Sequence, residues 1–162
     1  MAKGKRKPEN FSPRIDNRRA RFDYALSDKL ECGVQLLGTE VKSIRHGQVS
    51  LGEGFVVVNE AAMQLELHNV EIAPYQYAAI HMQHAPKRVR RLLAHKREIV
   101  KLVGATKGRG VTIVPIAMYF RGGRVKVEVA VAAGKKQFDK RQDLKKKQTD
   151  RDMRRAMTRK VI

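Results

Sequence analysis

Apolar and polar positions alternate through Val125, Lys126, Val127, Glu128, Val129, Ala130 and Val131, the two-residue period of a half-buried strand. The pattern stops at Gly134. From there to Ile162 the chain carries twelve Lys or Arg against four Asp and few apolar residues, Phe138, Leu144, Met153 and Met157 among them. Such a segment cannot build a core and is expected to be disordered when free. Upstream, residues 22–26 alternate and residues 30–37 form a second extended piece, with Gly33 expected at a bulge or bend. Thr39 is placed to cap a short helix over residues 40–45 that Gly47 ends. Residues 55–58 and 63–67 flank a turn at Asn59, Glu60 and Ala61 and predict a hairpin. Residues 73–87 are irregular, with Pro74 and Pro86. Residues 88–103 repeat apolar positions at helical spacing, with Gly104 as the stop. Residues 111–120 and the final strand join through Arg121, Gly122, Gly123 and Arg124, turn chemistry written in glycine. Six or seven strands and two short helices predict a mainly β protein. The expected form is a small closed antiparallel barrel of the oligonucleotide-binding type with helices at its flanks; a sandwich is the alternative.

At 162 residues and 42% hydrophobic content the chain suits one domain with extensions. We expect a leader over residues 1–16, a barrel over 17–133 and a basic tail over 134–162. The net charge of +19 is concentrated at the ends, with +6 in residues 1–21 and +8 in residues 134–162. Charge so placed predicts a polyanionic partner. Nucleic acid is favoured over membrane, because no amphipathic aromatic face accompanies the basic runs. No apolar run follows the basic amino terminus and none is long enough to span a bilayer, so the expected location is cytoplasmic.

Candidate chemistry narrows the field further. The lone Cys32 allows no internal disulfide and no multi-cysteine zinc site, and is expected to be a buried small residue. His81 and His84 have metal-ligand spacing without further ligands and read as surface histidines. The stretch GATKGRG (104–110) lacks the Lys-Ser/Thr ending of a phosphate-cradling loop. No catalytic residue, metal or cofactor is therefore expected. Asn17, Arg18, Arg19, Arg21 and Lys42 are candidates for phosphate contacts, and Tyr24 offers either a planar face to a base or a core-filling ring. Glu40 reads as a structural residue that caps its helix or pairs with Lys42 or Arg45.

The blocks NRRARFDY (17–24), LECGVQLLGTEVKSIRHG (30–47), RRLLAHKREI (90–99) and YFRGGRVKVEVAVAAGKKQFDKR (119–141) resemble the small protein B family, the transfer-messenger-RNA-binding proteins of bacteria. The likeness spans residues 15–155 in the family's order and spacing. It implies an adaptor of trans-translation that binds the tRNA-like domain of transfer-messenger RNA (tmRNA) and helps deliver it to stalled ribosomes. It assigns Glu31, Leu93 and His95 to RNA contact. A carboxylate beside RNA makes sense as an acceptor from base amino groups or sugar hydroxyls, and His95 could stack on an unpaired base. Glu31 as a solvated strand residue and His95 as a surface helix residue are the structural alternatives. The resemblance also assigns Gly134, Lys135, Lys136, Asp139, Lys140 and Arg141 to ribosome engagement. The tail would enter the empty messenger channel near the decoding centre and become helical there. Phe138 stands where many relatives carry His or Tyr, which keeps stacking and loses side-chain hydrogen bonding. Alanyl-tRNA synthetase and elongation factor Tu would be partners through the RNA. Composition alone would equally fit a structural ribosomal or general nucleic-acid-binding protein.

Overall fold

A computed structural model of the chain describes residues 13–108, 110–135, 145 and 148–157. In chain order its body contains β1 (Ile15–Asp16), α1 (Arg18–Asp23), β2 (Tyr24–Val34), α2 (Gly38–Arg45), β3 (Val49–Ser50) and β4 (Phe55–Asn59). There follow β5 (Gln64–His68), β6 (Glu71–Ile72), a 3-10 turn (Ile80–Met82), β7 (Arg90–Leu93), α3 (Lys96–Thr106), β8 (Val111–Arg121) and β9 (Arg124–Gly134). The strands line up as β8-β4-β5-β7-β2-β9, and pairing of β9 back onto β8 closes a ring of six antiparallel strands. The short β1 pairs with β8, while β3 and β6 form a separate two-stranded sheet.

Alternation decides which face of each strand points inward. Val125, Val127, Val129 and Val131 of β9 are buried with Ile113 and Met118 of β8, Leu65 and Leu67 of β5, and Cys32 of β2. Burial pushes the Cys32 thiol up to about 12, so it is an inert core residue as expected. The outer face of the β8–β9 hairpin is also covered. Val114 and Ala132 pack against Ala20, and this small cluster seats α1 on the barrel. The hairpin turns on Gly122 and Gly123 at φ 57° and 75°, the left-handed conformation that glycine adopts without strain.

Four local expectations change. Residues 18–23 form a helix where the short alternation at 22–26 pointed to a strand. Asn17 caps it by accepting from the Ala20 N–H at 3.0 Å, and the strand begins only at Tyr24. The irregularity in β2 falls at Ser27 to Lys29, where Asp28 has φ 39°, and not at Gly33. Gly33 answers a close approach instead: a Cβ there would lie 3.3 Å from the Leu93 Cβ. The helix expected over 88–103 divides. Arg90 and Leu92 are buried between exposed Arg91 and Leu93, a two-residue period that pairs with β5 and β2. The helix proper starts after His95 and runs through Gly104 to Thr106. Finally, α2 starts at Gly38 with Leu37 at its N-cap, so Thr39 lies inside the helix. Among the tail residues, 148–157 are helical and exposed at every position.

Candidate nucleic-acid interface

Strands β2, β7 and β9 and the start of α3 meet around a hollow of ≈ 520 Å³ lined by Leu30, Glu31, Leu93, Ala94, His95, Glu98 and Lys126. Three expected RNA contacts, Glu31, Leu93 and His95, thus come together although sixty residues separate them. Leu93 points outward by strand parity and is 55% exposed. His95 occupies the N-cap position of α3, where its backbone N–H donates to Glu98 Oε2 at 2.8 Å and its ring stands exposed. Leu93 also borders a second, more apolar hollow of ≈ 370 Å³ with Gly33, Val34, Leu36, Val41 and Lys126 in its wall.

Glu31 is not a free carboxylate. The Tyr119 hydroxyl donates to Oε2, Arg121 Nη1 donates to both oxygens at 3.1 and 3.2 Å, and Lys126 Nζ lies 3.8 Å away. The Tyr119 hydrogen bond, aided by Arg121 and Lys126 and opposed by partial desolvation, holds the Glu31 carboxyl below its ordinary range. Glu31 therefore orients two cations and a phenol along the rim. Sequence reasoning missed Lys126, Arg121 and Tyr119. The signal was available for Lys126, because alternation with the buried valines places it on the outer face of β9.

The amino-terminal basic residues divide by burial. Arg18, Arg19 and Arg21 are exposed on α1; Arg19 pairs with Asp23 at 3.5 Å and Glu53 at 3.9 Å, and Arg21 with Asp16 at 3.4 Å. Such surface pairs exchange readily for other anions. The side chain of Asn17, also a candidate for phosphate contact, is buried, with Nδ2 donating to the carbonyls of Leu51 and Pro115 at 2.8 and 2.9 Å. It fixes α1 against the barrel. Tyr24 is half-buried against the Ala20 cluster and, with Arg19 and Phe55, lines a hollow of ≈ 340 Å³, so it serves as both packing ring and surface. Phe55, stacked on His68 at 5.4 Å, was not singled out from the sequence.

On α2, Lys42 is exposed with Nζ 5.1 Å from the centre of the Tyr75 ring. Glu40, one turn away from Arg45, points inward instead of pairing with Lys42 or Arg45. Its carboxylate accepts from the Leu37 N–H at 2.7 Å, from Arg88 Nε and Nη2 at 2.8 and 2.5 Å, and from Arg90 Nε at 2.8 Å. Burial alone would raise the Glu40 pKa, but these donated bonds outweigh it and the carboxyl sits below its usual value. Arg90, wholly buried, completes its bonding at the carbonyls of Val70, Arg88 and Pro86. His84 is also buried and not on the surface: its ring nitrogens meet Thr39 Oγ1 at 2.9 Å and the Ile72 carbonyl at 3.1 Å. Among the described residues no cluster of three or more His, Cys, Asp or Glu could hold a metal ion, and no helix is long and apolar enough to cross a membrane.

Of the tail residues named above, Gly134 ends β9 opposite Tyr24, and the Lys135 N–H donates to the Asp23 carbonyl at 3.0 Å. Lys136, Phe138, Asp139, Lys140 and Arg141 lie outside the described residues.

A closed β-barrel with outward cations gathered around an exposed leucine and histidine belongs to the class of small basic barrel proteins that engage nucleic acid. The family model described as SmpB protein matches residues 14–159, and the chain belongs to that family. Proteins named SsrA-binding protein from Microcystis aeruginosa and Synechocystis sp. are 49% and 47% identical to it. The first alignment covers 89% of this chain and 92% of the relative, the second 98% and 100%. A solved structure described as "tmRNA-SmpB: a journey to the center of the bacterial ribosome" superposes with a TM-score of 0.66 at 40% identity, covering 77% of this chain and 86% of that one.

Proposed function

We propose that this protein is the tmRNA-binding adaptor of trans-translation: it binds the tRNA-like domain of tmRNA through the barrel and brings it to stalled ribosomes, where the basic tail engages the messenger channel. The observation that carries this reading is the convergence of Glu31, Leu93, His95 and Lys126 on one hollow in a chain of the SmpB family. Leu93 and His95 offer an apolar contact and a planar ring to unpaired bases, Lys126 and Arg121 meet phosphates, and Glu31 keeps these cations in register while its remaining lone pairs accept from a sugar hydroxyl. The exposed arginines of α1 extend the cationic track. The role is binding and delivery without chemistry of its own, carried out in the cytoplasm, and aminoacylation and ribosomal delivery by alanyl-tRNA synthetase and elongation factor Tu act through the RNA.

The test compares tmRNA with an unrelated RNA of equal length between about 50 and 200 mM salt. The wild-type chain should prefer tmRNA throughout this range. Leu93→Asp, at an exposed position that folding tolerates, should abolish the preference, and Lys126→Ala should lower the log–log salt slope by about 0.7–0.9. Equal binding of both RNAs by the wild type would overturn the adaptor reading in favour of a general nucleic-acid-binding protein.

A further inference from the structure

Between Glu71 and Glu98 the sequence contains six Lys or Arg and no acidic residue. Within this stretch the connection from β6 to β7 presents two aromatic rings beside α2. Tyr75 and Tyr77 meet edge to face with centroids 5.5 Å apart, and Tyr75 stacks on His46 at 6.1 Å with its plane inclined by 24°. Lys42 lies over the same Tyr75 ring. The core does not account for this arrangement, since Tyr77 is 76% and the neighbouring Ile80 95% exposed. The surface is nevertheless firmly built. Gln83 Oε1 accepts from the Tyr75 N–H at 3.0 Å, and Gln83 Nε2 donates to the carbonyls of Tyr75 and Ala78 at 2.5 and 3.0 Å. The next residue, buried His84, anchors the connection to Thr39 and Ile72. The one carboxylate of α2, Glu40, is turned inward to Arg88 and Arg90, so it does not offset Lys42 and Arg45 at the surface.

We propose that the platform of Tyr75, Tyr77 and His46, with Lys42 beside it, is a second RNA surface that stacks unpaired bases. Rings on a connection tied down by Gln83 and His84, beside a cation, suit a single strand: the base lies on the open face of Tyr77 and its phosphate reaches Lys42, an arrangement tolerant of base identity. A duplex keeps its base faces stacked internally and cannot use it. None of the platform residues lines the hollow around Leu93. This inference rests on the reading that the chain binds RNA.

The chain contains no tryptophan, so Tyr77→Trp gives a single indole whose emission reports on this ring alone. The full-length variant is titrated with a short single-stranded oligoadenylate and with a duplex of equal length, while anisotropy of labelled RNA reports binding independently. The expected result is saturable quenching by the single strand and none by the duplex. In the otherwise unaltered chain, Tyr77→Ala should bind the single strand about five- to 150-fold more weakly, and Tyr77→Phe should bind as the wild type does. Unchanged emission under conditions where anisotropy shows the oligonucleotide bound, with Tyr77→Ala binding normally, overturns the platform and leaves the adaptor reading intact. Failure of the wild type to bind any RNA, tmRNA included, would overturn both.

Discussion

Glu40 sits at the centre of a buried charge cluster whose parts are drawn from α2, the connection before β7, and β7 itself. Two guanidiniums and one backbone N–H satisfy its carboxylate, and the second guanidinium, Arg90, is itself without access to water. Replacing such a cluster wholesale with apolar residues can be neutral, but removing one partner strands the others. Glu40→Ala should therefore destabilise the protein by about 3–5 kcal/mol in urea unfolding. Its pH dependence has a definite sign. Because the folded pKa is depressed, the stabilisation is complete above the unfolded carboxylate value of 4.5 and is lost as pH falls through the lower, folded value. The stability difference between wild type and Glu40→Ala should accordingly be constant near neutrality and shrink at acid pH below about 4.5. Glu31 obeys the same sign, since the Tyr119 hydroxyl and Arg121 hold its pKa down. Its consequence is read in function, not stability: Glu31→Gln should weaken tmRNA binding by loosening Arg121 and Lys126 at the rim while leaving the urea midpoint nearly unchanged. A large fall in the midpoint would instead assign Glu31 to the framework.

At the scale of elements, α1 depends on one side chain. Asn17 caps the helix and ties it to Leu51 and Pro115, carbonyls of two separate segments, so Asn17→Ala loses the cap and leaves buried acceptors unpaired. A loss of about 1–3 kcal/mol is expected in thermal or urea unfolding, with hydrogen exchange fastest in α1. This helix also shows where sequence reading reaches its limit. The β8–β9 hairpin was legible because its alternation is long and its Gly-Gly turn fits one backbone geometry. The hairpin of β4 and β5 was legible for a similar reason. By contrast, α1 is one and a half turns, and what makes it helical is a cap whose other partners lie at positions 51 and 115. The division at 90–95 failed for a different reason. Leu92 and Leu93 are adjacent and both apolar, which fits a helix face, yet one enters the core and the other stands on the surface. An exposed leucine on the outside of a strand thus imitated the pattern of a buried one. The candidate site was legible in part. The family blocks carry Glu31, Leu93 and His95, but only the register that sets Gly33 opposite both Leu93 and Lys126 shows that the strands bring them to one place.

For the molecule as a whole, the proposed function has the barrel supply specificity and the tail supply charge. The Lys135 N–H bonds back to the Asp23 carbonyl, and residues 136–162 contain eleven Lys or Arg against four Asp. Such a segment attracts any polyanion, with affinity that falls steeply as salt rises. Shape recognition by the barrel falls less steeply because fewer counterions are released. A chain ending at Lys135 should therefore keep its preference for tmRNA over unrelated RNA at about 200 mM salt while its log–log salt slope becomes shallower, by about 0.7–0.9 for each phosphate contact given up. The same truncated chain should fail to support tagging on stalled ribosomes in a reconstituted translation reaction. That combination, selective binding without rescue, is expected if the tail acts only after the RNA has been chosen. Loss of the preference together with the slope would place recognition in the tail and reduce the hollow around Leu93 to a structural feature.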